Sequence, residues 1–211
     1  MPQGSRIMFP GQGVGLEGVY TEKPGDRAAV LCHPHPLYGG DMDNPVVLAM
    51  EAACLDCGIS TLRFNFRGTG RSEGFHADGP GEAEDLLAAA AHCEKVLKKP
   101  SVLVCGYSFG AYAMALAGSG LGDTPMIMVA PAVAFLSFPR EHRLSGLGLA
   151  VAGARDAYAP PDLVRRYLEM VAPEAGLHVI ENADHFFWGH LDEVRMIIAA
   201  HLRPSDKKSL H

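Results

Sequence analysis

Gly106-Tyr107-Ser108-Phe109-Gly110 has the spacing G-x-S-x-G, and it stands between an apolar run, Ser101 to Cys105, and a small-residue stretch, Phe109 to Ala117. A strand that reverses into a helix within so few residues brings the positions two before and two after the serine close together. Side chains there would collide, so both are glycine. The serine at the apex is forced into a strained backbone and lifts its hydroxyl above the edge of the sheet. The turn also puts the Phe109 N–H at a helix N-terminus, where it can stabilise developing negative charge. These residues suit nucleophilic attack by Ser108 on an acyl carbonyl, with Phe109 as one oxyanion donor.

A serine hydroxyl is a weak nucleophile at neutral pH and needs a base within hydrogen-bond reach and an acid that orients the base. The chain provides them in the order Ser, Asp, His. Asp156 ends Gly153-Ala154-Arg155-Asp156 after one apolar run, and His185 ends Asn182-Ala183-Asp184-His185 after another. In a doubly wound sheet such loops lie at the C-terminal strand edges, as Ser108 does. Asp184 and Asp162 are rival acids. A neighbour in sequence seldom turns back onto its own following imidazole, and Asp162 reads as a first-turn helix residue.

Acyl transfer needs a second oxyanion donor, expected from the loop after the first parallel strand, His33-Pro34-His35-Pro36-Leu37-Tyr38-Gly39-Gly40. Pro34 and Pro36 have no N–H, which leaves the backbone of His35, Leu37 or Tyr38. His33 and His35, with Asp41 and Asp43, also offer metal-ligand types. Their spacing is not that of a zinc signature, and the prolines shape the loop for backbone presentation, so neither a metal nor a cofactor is expected. Cys54 and Cys57 form a C-x-x-C with no second pair, on the apolar face of a helix, and read as core. Phe186, Phe187 and Trp188 follow the base, and of these aromatics Phe186 joins Leu37, Tyr38 and Tyr107 as expected substrate-binding residues.

The elements that must hold these residues alternate along the chain. Gly13 to Lys23 reads as an antiparallel strand closed by Pro24-Gly25-Asp26. Ala28 to Cys32 is a continuous apolar run, as in a strand buried on both faces. A helix follows from Asn44-Pro45 to Gly58. Ile59 to Phe66 is a strand, Gly68 to Gly81 a loop, and Glu82 to Leu97 a helix with Lys95, Lys98 and Lys99 at its end. Strands are then expected at Ser101 to Cys105, Pro125 to Val133, Leu147 to Ala152 and Gly176 to Ile180, with helices at Phe109 to Ala117, Pro161 to Val171 and Leu191 to Leu202. This alternation predicts a three-layer α/β/α sandwich with a mainly parallel, doubly wound sheet and right-handed crossovers. It forms one domain over residues 1–203 with a polar tail over 204–211. Two strands and one or two helices use up most of the chain between Ser108 and Asp156, which leaves no room for an inserted helical lid and predicts a shallow, solvent-open pocket bordered by short loops such as Phe135 to Arg143.

From about Val30 to Leu202 the chain resembles the α/β-hydrolase superfamily. It is most similar to the small lidless bacterial hydrolases of the dienelactone-hydrolase and esterase kind that carry a His-Pro-His-Pro-x-x-Gly-Gly loop. The likeness rests on that loop, on Arg67-Gly68-Thr69-Gly70-Arg71-Ser72, on the serine elbow, and on Asp156 and His185. It implies the α/β-hydrolase fold and a Ser108-His185-Asp156 triad. Relatives have an H-G-x segment whose third residue supplies the oxyanion N–H. Pro34 stands in place of that glycine here, so the resemblance makes His35 the donor, with Leu37 in reserve. A carboxylic ester or thioester of small to medium acyl size is the expected substrate; a non-catalytic binding module, a peptidase and a metal-dependent hydrolase are the alternatives.

Composition narrows the partners. The 211 residues include 18 basic and 24 acidic side chains, a net charge of −6, with no basic block beyond Lys207-Lys208. Nucleic acid and anionic membrane surfaces are therefore poor partners. No apolar run approaches the ~20 residues of a membrane span, and the first residues lack a signal peptide's apolar stretch, so a cytoplasmic location is expected. The partner expected is a small-molecule acyl substrate, with a homodimer left open. Five cysteines, an odd count in apolar stretches, argue against a disulfide framework. The 24 glycines and 15 prolines cluster at the turns that would carry the site.

Overall fold

The structure, a computed structural model, describes residues 4–203; the expected tail over 204–211 lies outside the described residues. The strands are β1 (Ser5–Pro10), β2 (Gly15–Thr21), β3 (Arg27–Cys32), β4 (Ser60–Phe64), β5 (Ser101–Tyr107), β6 (Met126–Val129), β7 (Leu147–Gly153) and β8 (Gly176–Ile180). The helices are α1 (Pro45–Asp56), α2 (Pro80–Lys95), α3 (Phe109–Leu121), α4 (Pro161–Val171) and α5 (Leu191–Leu202). All eight strands join one sheet in the order β1-β2-β4-β3-β5-β6-β7-β8. β1 and β2 form an antiparallel hairpin, β2 pairs antiparallel with β4, and the remaining pairings are parallel.

The topology follows from handedness. The crossover β3-α1-β4 steps one way across the sheet, and β4-α2-β5 steps back past β3. Right-handed crossovers in opposite directions put α1 and α2 on opposite faces. The later steps continue in the direction of the second, so α3 joins α2, while α5, after the last strand, packs on α1. Both faces are thus covered, which is why Ala28 to Cys32 can be uninterrupted apolar sequence with no exposure. The direction reverses between β3 and β5. The loops leaving those two neighbouring strands diverge and open a crevice at their C-terminal ends.

Several boundaries differ from the sequence expectation, each for a local reason. β1 has no counterpart in that reading: it is an edge strand with one buried residue, Phe9, so its alternation is faint. The strand expected to reach Val133 stops at Val129, because Ala130 turns to φ +42° and Pro131 has no N–H to pair. The strand expected to reach Phe66 stops at Phe64, and the Phe66 N–H donates to the His33 ring instead of a ladder. The helix expected over Glu82 to Leu97 begins at Pro80 and ends at Lys95. Lys98 then donates to the Lys95 carbonyl, while the buried Lys99 turns away to the carbonyls of Lys23 and Gly25. The helix expected to end at Ala117 is kinked at Gly118 and continues to Leu121.

The Arg67 to Ser72 loop is held by buried ions. Arg67 grips both oxygens of Asp85, a fully buried side chain on α2, at 2.8–3.1 Å. Burial pushes the Asp85 pKa up and Arg67 opposes that shift. Glu17, also buried, accepts from the Arg71 N–H and the Asn65 amide. None of the helices among the described residues is long and apolar enough to cross a membrane.

Candidate active site

Ser108 caps α3 at φ 54°, ψ −110°, a conformation that costs a side-chain-bearing residue on the order of 1–3 kcal/mol. The turn is tight enough that a Cβ on Gly106 would lie 2.6 Å from the Gly110 carbonyl group, and one on Gly110 would lie 2.4 Å from the Cys32 carbonyl oxygen of β3. The elbow therefore closes only on glycine at both positions. The Ser108 N–H donates to the Val129 carbonyl at 2.9 Å, which locks the apex to β6.

The loops after β7 and β8 deliver the other two residues, and they are laced together. Ala154 N–H donates to Ile180 O and Arg155 N–H to Ala183 O, each at 2.9 Å. Gly153 permits this approach, since a Cβ there would sit 2.4 Å from Ala183 O. As a result His185 Nε2 lies 2.9 Å from Ser108 Oγ, and His185 Nδ1 lies 2.8 Å from Asp156 Oδ2. The second Asp156 oxygen accepts the Tyr158 and Ala159 N–H groups, both at 2.8 Å. The carboxylate can only accept, which puts the imidazole proton on Nδ1 and leaves the Nε2 lone pair facing the serine hydroxyl. Asp184 turns instead to the Phe186 N–H, and Asp162 stays in the first turn of α4.

The loop after β3 is built around His33. This ring has no exposure; Nδ1–H donates to Pro34 O at 2.6 Å and Nε2 accepts the Phe66 N–H at 3.0 Å. Burial pushes its pKa down to about 4, so it stays neutral. With both nitrogens committed to backbone, His33 has no lone pair for a metal. Among the described residues no group of three or more His, Cys, Asp or Glu side chains is placed to hold an ion. Pro34 O belongs to the same peptide unit as His35 N. In a trans peptide the two point in opposite directions, so the ring that holds the carbonyl aims the His35 N–H away from itself.

Of the three backbone groups open to the sequence reading, Tyr38 N–H donates to His35 O at 3.1 Å and Leu37 N–H to the His35 ring at 3.3 Å. Among the described residues His35 N–H has no protein acceptor, and His35 lines the cavity above Ser108 together with Phe109. The Phe109 N–H opens α3 and has no carbonyl one turn back.

The cavity over Ser108 measures about 470 Å³. Of the residues expected to bind substrate, Tyr38, Tyr107 and Phe186 line it and Leu37 does not. It sits on the single 3₁₀ turn Pro36–Tyr38 with its side chain in solvent, because the His35 ring caps that turn and fixes its direction. Tyr107 also braces the base, since it is buried and its hydroxyl donates to the His185 carbonyl at 3.0 Å. Phe187 is buried in the core and Trp188 stands exposed off the cavity. Phe135 and Leu136, from the loop expected to border the pocket, line the cavity, and so does Tyr158, which the sequence reading did not single out. Tyr158 had a signal, since a residue two after a loop Asp commonly donates its N–H back to that Asp and is carried beside it. For Phe135 the sequence reading named the loop, but no periodicity told which of its side chains turn inward.

No family model matches the chain. An uncharacterized protein of Rickettsia prowazekii is 31% identical, aligned over 89% of this chain and 82% of its own length. Among solved structures, an α/β serine hydrolase homologue from Coxiella burnetii is 33% identical with a TM-score of 0.88, covering 94% of this chain and 97% of that one. A putative α/β hydrolase from Agrobacterium tumefaciens is 30% identical, with a TM-score of 0.83 and 94% of each chain covered. A lidless α/β serine hydrolase from Xanthomonas campestris is 27% identical, with the same TM-score, covering 96% of this chain and 95% of that one.

Proposed function

Because the chain belongs to the α/β serine hydrolase family, we propose that it cleaves carboxylic esters or thioesters of small to medium acyl size through an acyl-enzyme on Ser108. One observation carries this reading: the unbroken line of hydrogen bonds from Ser108 Oγ to His185 to Asp156, at 2.9 and 2.8 Å. His185 Nε2 takes the hydroxyl proton as Oγ attacks the carbonyl carbon, and later gives it to the leaving alcohol or thiol. Asp156 holds the Nδ1–H tautomer. The Tyr158 and Ala159 N–H groups hold its other oxygen and so fix the carboxylate against the ring as the imidazolium forms. The N–H groups of Phe109 and His35 take up the carbonyl oxygen's developing charge, each worth about 2.7–4 kcal/mol in the transition state. Water, activated by the same His185, then releases the acyl group.

A fluorophosphonate probe tests the reading. Wild-type protein should gain the mass of one adduct at Ser108, and Ser108→Ala and His185→Ala should not. Wild-type protein that stays unlabelled, and turns over no member of a short ester and thioester panel, refutes it.

A further inference from the structure

We propose that the cavity over Ser108 selects uncharged esters that carry an aromatic ring, a substrate class that rests on the serine-hydrolase reading and narrows it. The cavity's volume of about 470 Å³ falls in the range of roughly 300–1,000 Å³ usual for small-molecule sites. One side of it is a continuous run of rings. Tyr38 meets Phe135 at 6.1 Å between centroids, Phe135 meets Tyr158 at 5.7 Å, Tyr158 meets the His185 imidazole at 4.8 Å, and His185 meets Phe186 at 5.5 Å. The contacts are tilted or edge-to-face, at 50–85°, so no two of these rings stack on each other.

Phe135 and Phe186 are each about half exposed, at 52% and 51%, and Tyr38 at 74%. Single exposed apolar side chains need no explanation, but four large aromatics gathered around one nucleophile do. A flat ring entering among them gains offset and edge-to-face contacts that a saturated group of the same size does not. The run includes the imidazole of the base, so a ring held there lies beside the reacting bond.

The same lining sets the charge. Among the described residues no Lys, Arg, Asp or Glu side chain borders the cavity. Its amide, that of Asn44, already accepts the Val46 N–H with its oxygen. A carboxylate or phosphate drawn inside would give up water and meet no cation, a penalty that a neutral ring does not incur.

Matched pairs of esters test this, differing only in whether a six-membered ring is flat or saturated: ethyl phenylacetate against ethyl cyclohexylacetate, and benzyl acetate against cyclohexylmethyl acetate. The aromatic member should have a kcat/KM at least about tenfold higher in one pair or both, and the ratio should fall toward one in Phe135→Leu and Tyr158→Leu. Ethyl 4-carboxyphenylacetate should be at least about tenfold poorer than ethyl phenylacetate. Ratios within twofold in both pairs overturn the proposal. So does a ratio that neither substitution moves, or a carboxylated ester that is the better substrate. Fluorophosphonate labelling of Ser108 without turnover of any of these esters overturns the aromatic preference alone; absence of both labelling and turnover overturns the hydrolase reading and this proposal with it.

Discussion

Replacing His33 with Asn or with Gln separates its hold on the Pro34–His35 peptide from its packing role. The Asn amide nitrogen falls near the place of Nδ1 and can still donate to Pro34 O, which the ring reaches at 2.6 Å. The Gln amide falls near Nε2, whose partner is the Phe66 N–H at 3.0 Å. Each variant keeps one buried hydrogen bond and leaves one backbone group unpaired, at about 1–3 kcal/mol. Both should therefore melt lower by a similar amount, about 2–4 °C for each kcal/mol in a domain of this size. Only Gln releases the Pro34 carbonyl and with it the aim of the His35 N–H. Loss of one oxyanion donor lowers kcat by about 10²–10³, or roughly 2.7–4 kcal/mol. Steady-state kinetics on one ester, with the affinity of a boronic acid transition-state analogue, reads the difference. Gln should lose that factor in kcat and in analogue affinity with KM little changed, whereas Asn should stay within about tenfold of wild type. Equal kcat in the two variants, with both melting lower, would show that the ring serves packing only.

Asp156→Asn can keep its oxygen on the Tyr158 and Ala159 N–H groups but presents an NH₂ to Nδ1, forcing the wrong imidazole tautomer. A kcat about 10⁴ lower is expected, with the fold intact by circular dichroism. Gly153→Ala places a Cβ 2.4 Å from Ala183 O and parts the two loops that carry acid and base. It should cost about 1–3 kcal/mol of stability and slow fluorophosphonate labelling of Ser108; labelling at the wild-type rate would contradict the account. Stability should also fall in acid. The folded chain holds the His33 pKa down at about 4 by burial, against 6.5 when unfolded, so between those values the unfolded chain binds more protons and stability rises with pH. The penalty is absent above about pH 7, begins as pH drops below 6.5, and approaches roughly 3 kcal/mol near pH 4. Burial depresses His92 and His201 as well, with the same sign. Urea midpoints from pH 4 to 7.5 should follow this slope, and His33→Asn should flatten it; midpoints that hold or rise toward acid would refute it.

Steric necessity and alternation governed what was legible in the sequence. Gly106 and Gly110 identify the elbow because a Cβ at either one strikes backbone. Asp156 and His185 were placed on converging loops because the strands before them alternate with helices as a parallel sheet requires. The structure brings those two side chains to Ser108. Directions of side chains on irregular backbone were not legible. Leu37 faces solvent because a ring two residues earlier caps its turn. Phe135 reaches the cavity from a segment with no periodicity, and His33 carries ligand chemistry in its ring but spends both nitrogens on neighbouring backbone. β1 leaves no legible pattern because one buried residue makes a weak period. Lys99 broke the expected pattern of a basic helix end because two loop carbonyls offered it a buried seat.

The short connection between Ser108 and Asp156 holds one helix and two strands among its described elements and no inserted helical lid. In the proposed acyl-enzyme, the acyl group on Ser108 would stand in a cavity that no such lid closes off from solution. Any small alcohol or thiol that reaches the carbonyl competes with water for it on equal terms of access. The split between hydrolysis and transfer to another acceptor is then governed by acceptor concentration and nucleophilicity, so added methanol should divert product from free acid to methyl ester in proportion to its concentration.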